Sequence, residues 1–211
     1  MPRIFLWAAC AVFSVLPLPA QQPRVGIFMD FERVPGPAAV AAMEQEVNQL
    51  LKPAGITLDW RLAKENRGNL SFASLVVLRF KGSCKVEPLP GSAGDFGSFG
   101  ETHALASTTV SGGRVLPFSE VECDEVRGAL RFLRAGAGLK ERQLALGRAL
   151  GRVVAHELYH IFARTTAHGA RGLAKPSQSL EELVSVEGPK FGEDDSRAMG
   201  KPAAVPEEKT R

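Results

Sequence analysis

Apolar and polar positions alternate with different periods along the chain, and each period predicts an element. Arg24–Asp30 (RVGIFMD) is apolar and ends at a turn, as a strand does. Pro35-Gly36-Pro37 then opens a run with Val40, Met43, Val47, Leu50 and Leu51 at helical spacing, which Pro53 and Gly55 stop. Ile56–Leu62 alternates like a half-buried strand, whereas Ser74–Phe80 is more continuously apolar, as a central strand would be. From Lys81 to Gly100 the chain is rich in Gly, Pro and Ser and predicts a long surface loop. Thr102–Val110 and Arg114–Phe118 flank Ser111-Gly112-Gly113 and predict a hairpin. Val121–Leu133 predicts a short helix and Leu139–Ala163 a long one; Ser179–Val186 is a last short helix, capped by Ser177 or Ser179. Beyond Gly188 the chain turns to Pro, Glu, Lys and Gly, so residues 189–211 are expected to form a disordered tail.

This element order predicts an α+β fold: a twisted mixed sheet with two main helices on one side, the second lying under a groove edged by an outer strand. With 211 residues, 45% of them hydrophobic, the chain can bury one proper core, and residues 24–188 are the expected domain. The net charge of +3 is small and no basic stripe with aromatics appears, so nucleic acid is not an expected partner. The first twenty residues differ in kind. Arg3, the apolar stretch Ile4–Leu18 and the small Ala20 after Leu16-Pro-Leu-Pro read as a signal peptide over 1–20, which implies a periplasmic or secreted protein. No later stretch approaches the ~20 apolar residues of a membrane span. Cleavage would remove Cys10 and leave Cys84 and Cys123, an even pair that suggests one disulfide; two free buried thiols are the alternative.

The chemistry concentrates in Arg152–Phe162, where His156-Glu157-Leu158-Tyr159-His160 forms a His-Glu-x-x-His motif. Residues four apart on a helix lie about 40° round and roughly 6 Å along the axis, so His156 and His160 can face one metal ion. Glu157 lies beside them, where a carboxylate can take a proton from metal-bound water. Val153, Val154, Ala155, Leu158, Tyr159, Ile161 and Phe162 are all uncharged, as a helix buried beneath a cleft requires. Tyr159 sits at an apolar position and is expected to pack in the core. His103 is expected at the surface, and Arg164, Arg171 and Lys175 can line a pocket or face solvent.

These residues resemble the zincin clan of metallopeptidases, in which such a helix carries two zinc-binding histidines. In more detail, HELYHIFARTTAHG, Gly172-Leu-Ala-Lys175 and LASTTVSGGRVLPFSEVEC resemble short exported bacterial zincin-like proteins. The resemblance implies Zn²⁺ as cofactor, Glu157 as general base, a peptide or protein substrate, and a substrate-pairing edge strand within Ala104–Val110, with Ala104, Ala106 and Thr108 along it. It also implies a third protein ligand. The metzincin pattern would place a glycine and a histidine where this chain has Ala163 and Thr166; His168 lies two residues later beside Gly169. The gluzincin pattern offers Glu181 or Glu182 instead, 21 and 22 residues after His160, with Glu182-Leu-Val-Ser185 similar to that family's Glu-x-x-Ser. His168 and Glu182 are therefore the two candidates. Metzincins also carry a Met-turn, but the one later methionine here, Met199, falls within the expected tail. The implied activity is hydrolysis of peptide bonds, or of a non-protein substrate such as a cell-wall peptide crosslink; a non-catalytic zinc- or peptide-binding protein on the same scaffold is the alternative.

Overall fold

Strand periodicity of two puts Ile27, Met29 and Phe31 on one face of β1 (Arg24–Arg33), and parallel pairing with β3 (Ser74–Ser83) sets them beside Val76, Leu78 and Phe80. All six side chains are 3% exposed or less, and Phe31 stacks on Phe80 at 4.1 Å. In this computed structural model, which describes residues 24–65, 72–86, 104–130 and 137–201, that face carries the core. The fold is α+β. Its sheet has the order β2-β1-β3-β5-β4, with β2 (Thr57–Leu62), β4 (Ala106–Ser111) and β5 (Arg114–Glu122) completing it. All pairs are parallel except β4 with β5, so β4 is an antiparallel edge strand.

Two helices cover the core face: α1 (Pro37–Leu51), which Pro37 opens, and the long α3 (Leu139–Ala163). They meet where α3 has no side chain. A Cβ on Gly147 would lie 2.5 Å from the Ala39 carbonyl, and one on Gly151 would lie 2.7 Å from Glu46 Cβ. On the reverse face of the sheet Phe28 is buried against Phe72, while Leu75, Arg79 and Phe118 are exposed.

Gly112 and Gly113 both have positive φ (56° and 73°), which closes the β4–β5 hairpin with two residues. A short helix α2 (Cys123–Ala129) follows β5, and α4 (Leu180–Val184) is capped by the Ser179 hydroxyl on the Glu182 amide. Cys84, just past β3, and Cys123, the first residue of α2, form a disulfide that is fully buried. Closing a loop of 39 residues contributes about 3–4 kcal/mol in the chain-entropy model.

Several strands run past the ends that the sequence suggests. β1 continues from Asp30 to Arg33, β3 from Phe80 to Ser83 and β5 from Phe118 to Glu122, because each has a neighbour with which to keep pairing. The helix expected from Val121 therefore begins at Cys123, and the loop expected from Lys81 begins later. The expected tail also needs correction. Residues 189–201 are folded: Phe191 stacks on Tyr159, and α5 (Glu193–Met199), which follows it, ends in buried Met199. Two apolar anchors suffice there because the Gly192 amide also donates to Asp195, and the Leu173 amide donates to the Lys190 carbonyl. The signal peptide expected at 1–20, most of the loop expected at 81–100, His103 and residues 202–211 lie outside the described residues. Among the described residues, no helix is long and apolar enough to cross a membrane.

Candidate metal centre

Helical geometry alone sets His156 and His160 one turn apart on the cleft side of α3, with their Nε2 atoms 3.1 Å apart. The third imidazole comes from the end of the helix. Arg164 adopts the left-handed conformation (φ 52°) and the Thr165 amide caps the His160 carbonyl, so the chain stops and reverses. It brings His168 back over the pair, its ring centroid 5.2 Å from that of His156 and 4.8 Å from that of His160. One nitrogen from each of the three rings falls within a 4.8 Å cluster.

The other ring nitrogens fix the tautomers. His156 Nδ1 lies 2.8 Å from the Leu173 carbonyl and His160 Nδ1 lies 2.8 Å from the Thr165 carbonyl. A carbonyl only accepts, so both Nδ1 atoms carry the hydrogen, and in the neutral rings both Nε2 lone pairs point at each other. Such lone pairs repel at 3.1 Å unless a proton or a metal ion lies between them. Burial pushes the His156 imidazolium towards deprotonation; the Leu173 carbonyl opposes this, and His160 and His168 add to it. His168 is shifted the same way, by burial and by His160. A metal ion is the better occupant. Ligands 2.0–2.1 Å from a tetrahedral zinc lie about 3.3–3.4 Å apart, close to the spacing of the Nε2 pair. The donor set therefore fits a metal, and the carbonyls behind it provide the backing that metal-binding imidazoles need.

Glu157 faces the edge strand. It is 6% exposed, and its Oε2 accepts a hydrogen bond from Thr108 Oγ1 of β4 at 2.6 Å. Burial raises its proton affinity above that of an ordinary carboxylate, while the Thr108 bond and the neighbouring His160 pull against that rise. The three histidines, Glu157, and the strand residues Ala104, Ala106 and Thr108 line one cleft of about 810 Å³. Its far wall is Pro176–Gln178 with Leu180 and Leu183.

Glu182, the other candidate third ligand, is not brought to the cluster. Its two oxygens lie 2.6 and 2.7 Å from Lys175 Nζ, and Oε2 also accepts from the Ser179 amide at 2.8 Å. Lys175, followed by the Ser179 amide, holds the carboxyl down to about 2, so this partnership lasts through any ordinary acidity. Glu181 is exposed, as are Arg164 and Arg171, whereas Lys175 lines the cleft from its pairing with Glu182. Tyr159 packs on Phe191, and Met199 is buried in the core.

Three contributors were not evident in the sequence. Gln178 Nε2 lies 3.2 Å from the Leu173 carbonyl that also takes His156 Nδ1–H, which ties the far wall to the histidine cluster. Ser119 of β5 lies 2.8 Å from Thr108 Oγ1, behind the contact with Glu157. Arg152, one turn before His156, is 1% exposed and binds α1 and α4 together. Only the last leaves a trace in the sequence, as a charge among Leu150, Val153 and Val154 in the helix. No protein-family model matches the chain, and no curated protein matches it.

Proposed function

We propose that this chain is a zinc-dependent hydrolase of the zincin kind that cleaves peptide bonds. The observation that carries the reading is the convergence of three imidazole nitrogens beside a buried glutamate, in a cleft bounded by an antiparallel edge strand. His156, His160 and His168 would hold the zinc, which supplies Lewis acidity when bound. Glu157 takes a proton from the attacking water and returns it to the leaving amine. Among the described residues β4 pairs only with β5, so its outer edge can add an extended peptide as a further strand, near Ala104, Ala106 and Thr108. The apolar start of the sequence and the Cys84–Cys123 disulfide support action outside the cytosol, in a periplasm or after secretion.

Incubating the zinc-loaded chain with a mixed peptide library, followed by mass spectrometry of the products, tests the reading. Defined cleavage products that disappear with a chelator and return with added zinc are expected. Stoichiometric zinc binding with no cleavage of any peptide would overturn it in favour of a zinc- or peptide-binding protein.

A further inference from the structure

Within that reading, the geometry points to Thr108, backed by Ser119, as the residue that positions the Glu157 carboxylate for proton transfer. Hydrogen counting sets the direction of the contact. An ionised carboxylate only accepts, and the Thr108 hydroxyl has one hydrogen, so the 2.6 Å contact is Thr108 Oγ1–H donating to Glu157 Oε2. The same hydroxyl lies 3.3 Å from the Glu157 carbonyl, too far to compete with the carboxylate for that hydrogen. With its hydrogen committed, Thr108 can only accept from Ser119, 2.8 Å away. Ser119 is 2% exposed, so water does not replace this partner. The chain of donors runs from Ser119 through Thr108 to Oε2.

Two consequences follow for the carboxylate. Charge-assisted bonds of this length are the strong ones, so the Glu157 side chain is held in one rotamer against the edge strand. Oε2 is also occupied, whereas no hydrogen bond from the described residues reaches Oε1. Oε1 is thus the oxygen that receives the proton from water and releases it to the leaving group, while Oε2 serves as the anchor. The hairpin makes this possible: Thr108 and Ser119 are directly opposed in the β4–β5 register, and their side chains share the face turned towards α3. A substrate strand added to β4 would therefore be held by the same element that aims the base.

A cross-strand Thr–Ser pair could instead serve only to stabilise the hairpin, and three variants separate the two roles. Thr108→Val keeps the shape and removes the hydroxyl, Thr108→Ser keeps the hydroxyl, and Ser119→Ala removes the backing donor. For Thr108→Val we expect kcat to fall by roughly 10–100-fold at nearly unchanged KM and unchanged zinc content, with Thr108→Ser recovering most of it and Ser119→Ala in between. Crystal structures of wild type and Thr108→Val provide a readout independent of turnover. The Glu157 carboxylate should sit against Thr108 in the first and leave that position or split into two conformers in the second. An unmoved carboxylate in Thr108→Val, or equal losses in Thr108→Ser and Thr108→Val, would overturn the proposal. Should wild type cleave nothing, the peptidase reading falls while the crystal structures still decide the positioning role.

Discussion

Glu157→Gln is expected to lower kcat/KM by about 10³-fold while leaving zinc content at the wild-type level. Glutamine keeps the size and shape of the side chain, and its carbonyl oxygen can still accept the Thr108 hydroxyl, so the cleft should keep its form. What it loses is a site that accepts a proton at neutral pH. Its effect on stability should be small or favourable, because a neutral amide is less costly to bury than the charge of a residue that is 6% exposed. Steady-state kinetics on a cleaved peptide, metal analysis and a thermal melt of the same preparation check the three parts. If Glu157→Gln turned over like wild type, the base would have to be found elsewhere.

Arg152→Ala should cost about 3–5 kcal/mol, the scale for removing one partner of a buried ion pair. The guanidinium donates to Glu46 Oε1 of α1 and to the Glu182 and Ser185 carbonyls at the end of α4, each at 2.8 Å. Arg148 adds a bond to the Val184 carbonyl at 3.1 Å. Together they place positive charge where the carbonyls of α4 would otherwise end unpaired. Gly188 lies directly against the guanidinium, which leaves no room for a Cβ there. Alanine would strand the Glu46 carboxylate, which is only 14% exposed, along with the two carbonyls. For a domain of this size the loss corresponds to a drop in Tm of roughly 8–15 °C. Thermal unfolding followed by circular dichroism measures it; a drop under about 2 °C would mean that the clamp is not what fastens α4 to α3. Because α4 forms part of the cleft's far wall, the same variant should also loosen substrate binding.

Much of this architecture was legible because its signals are local. Pro37 opens α1, two glycines at 112–113 close the hairpin, and the spacing of His156 and His160 needs only 3.6 residues per turn. His168 was legible as one of two candidates, and the backbone reversal at Arg164 brings it, rather than Glu182, to the pair. Contacts between distant residues were not legible. Thr108 and Glu157 are 49 positions apart, and only the packing of β4 against α3 brings them together. Strand ends were missed because pairing with a neighbour, rather than composition, decides where a strand stops. α5 was missed because Phe191 and Met199 are two apolar residues in a stretch that otherwise reads as solvated.

The central claim is that three imidazoles form one metal centre, and zinc content by plasma mass spectrometry tests it most directly. Wild type and Glu182→Ala should each retain about one zinc per chain, whereas His168→Ala should lose it or bind it far more weakly. Folded wild-type protein that comes out free of metal and takes up none, or zinc lost from Glu182→Ala but kept by His168→Ala, would contradict the account.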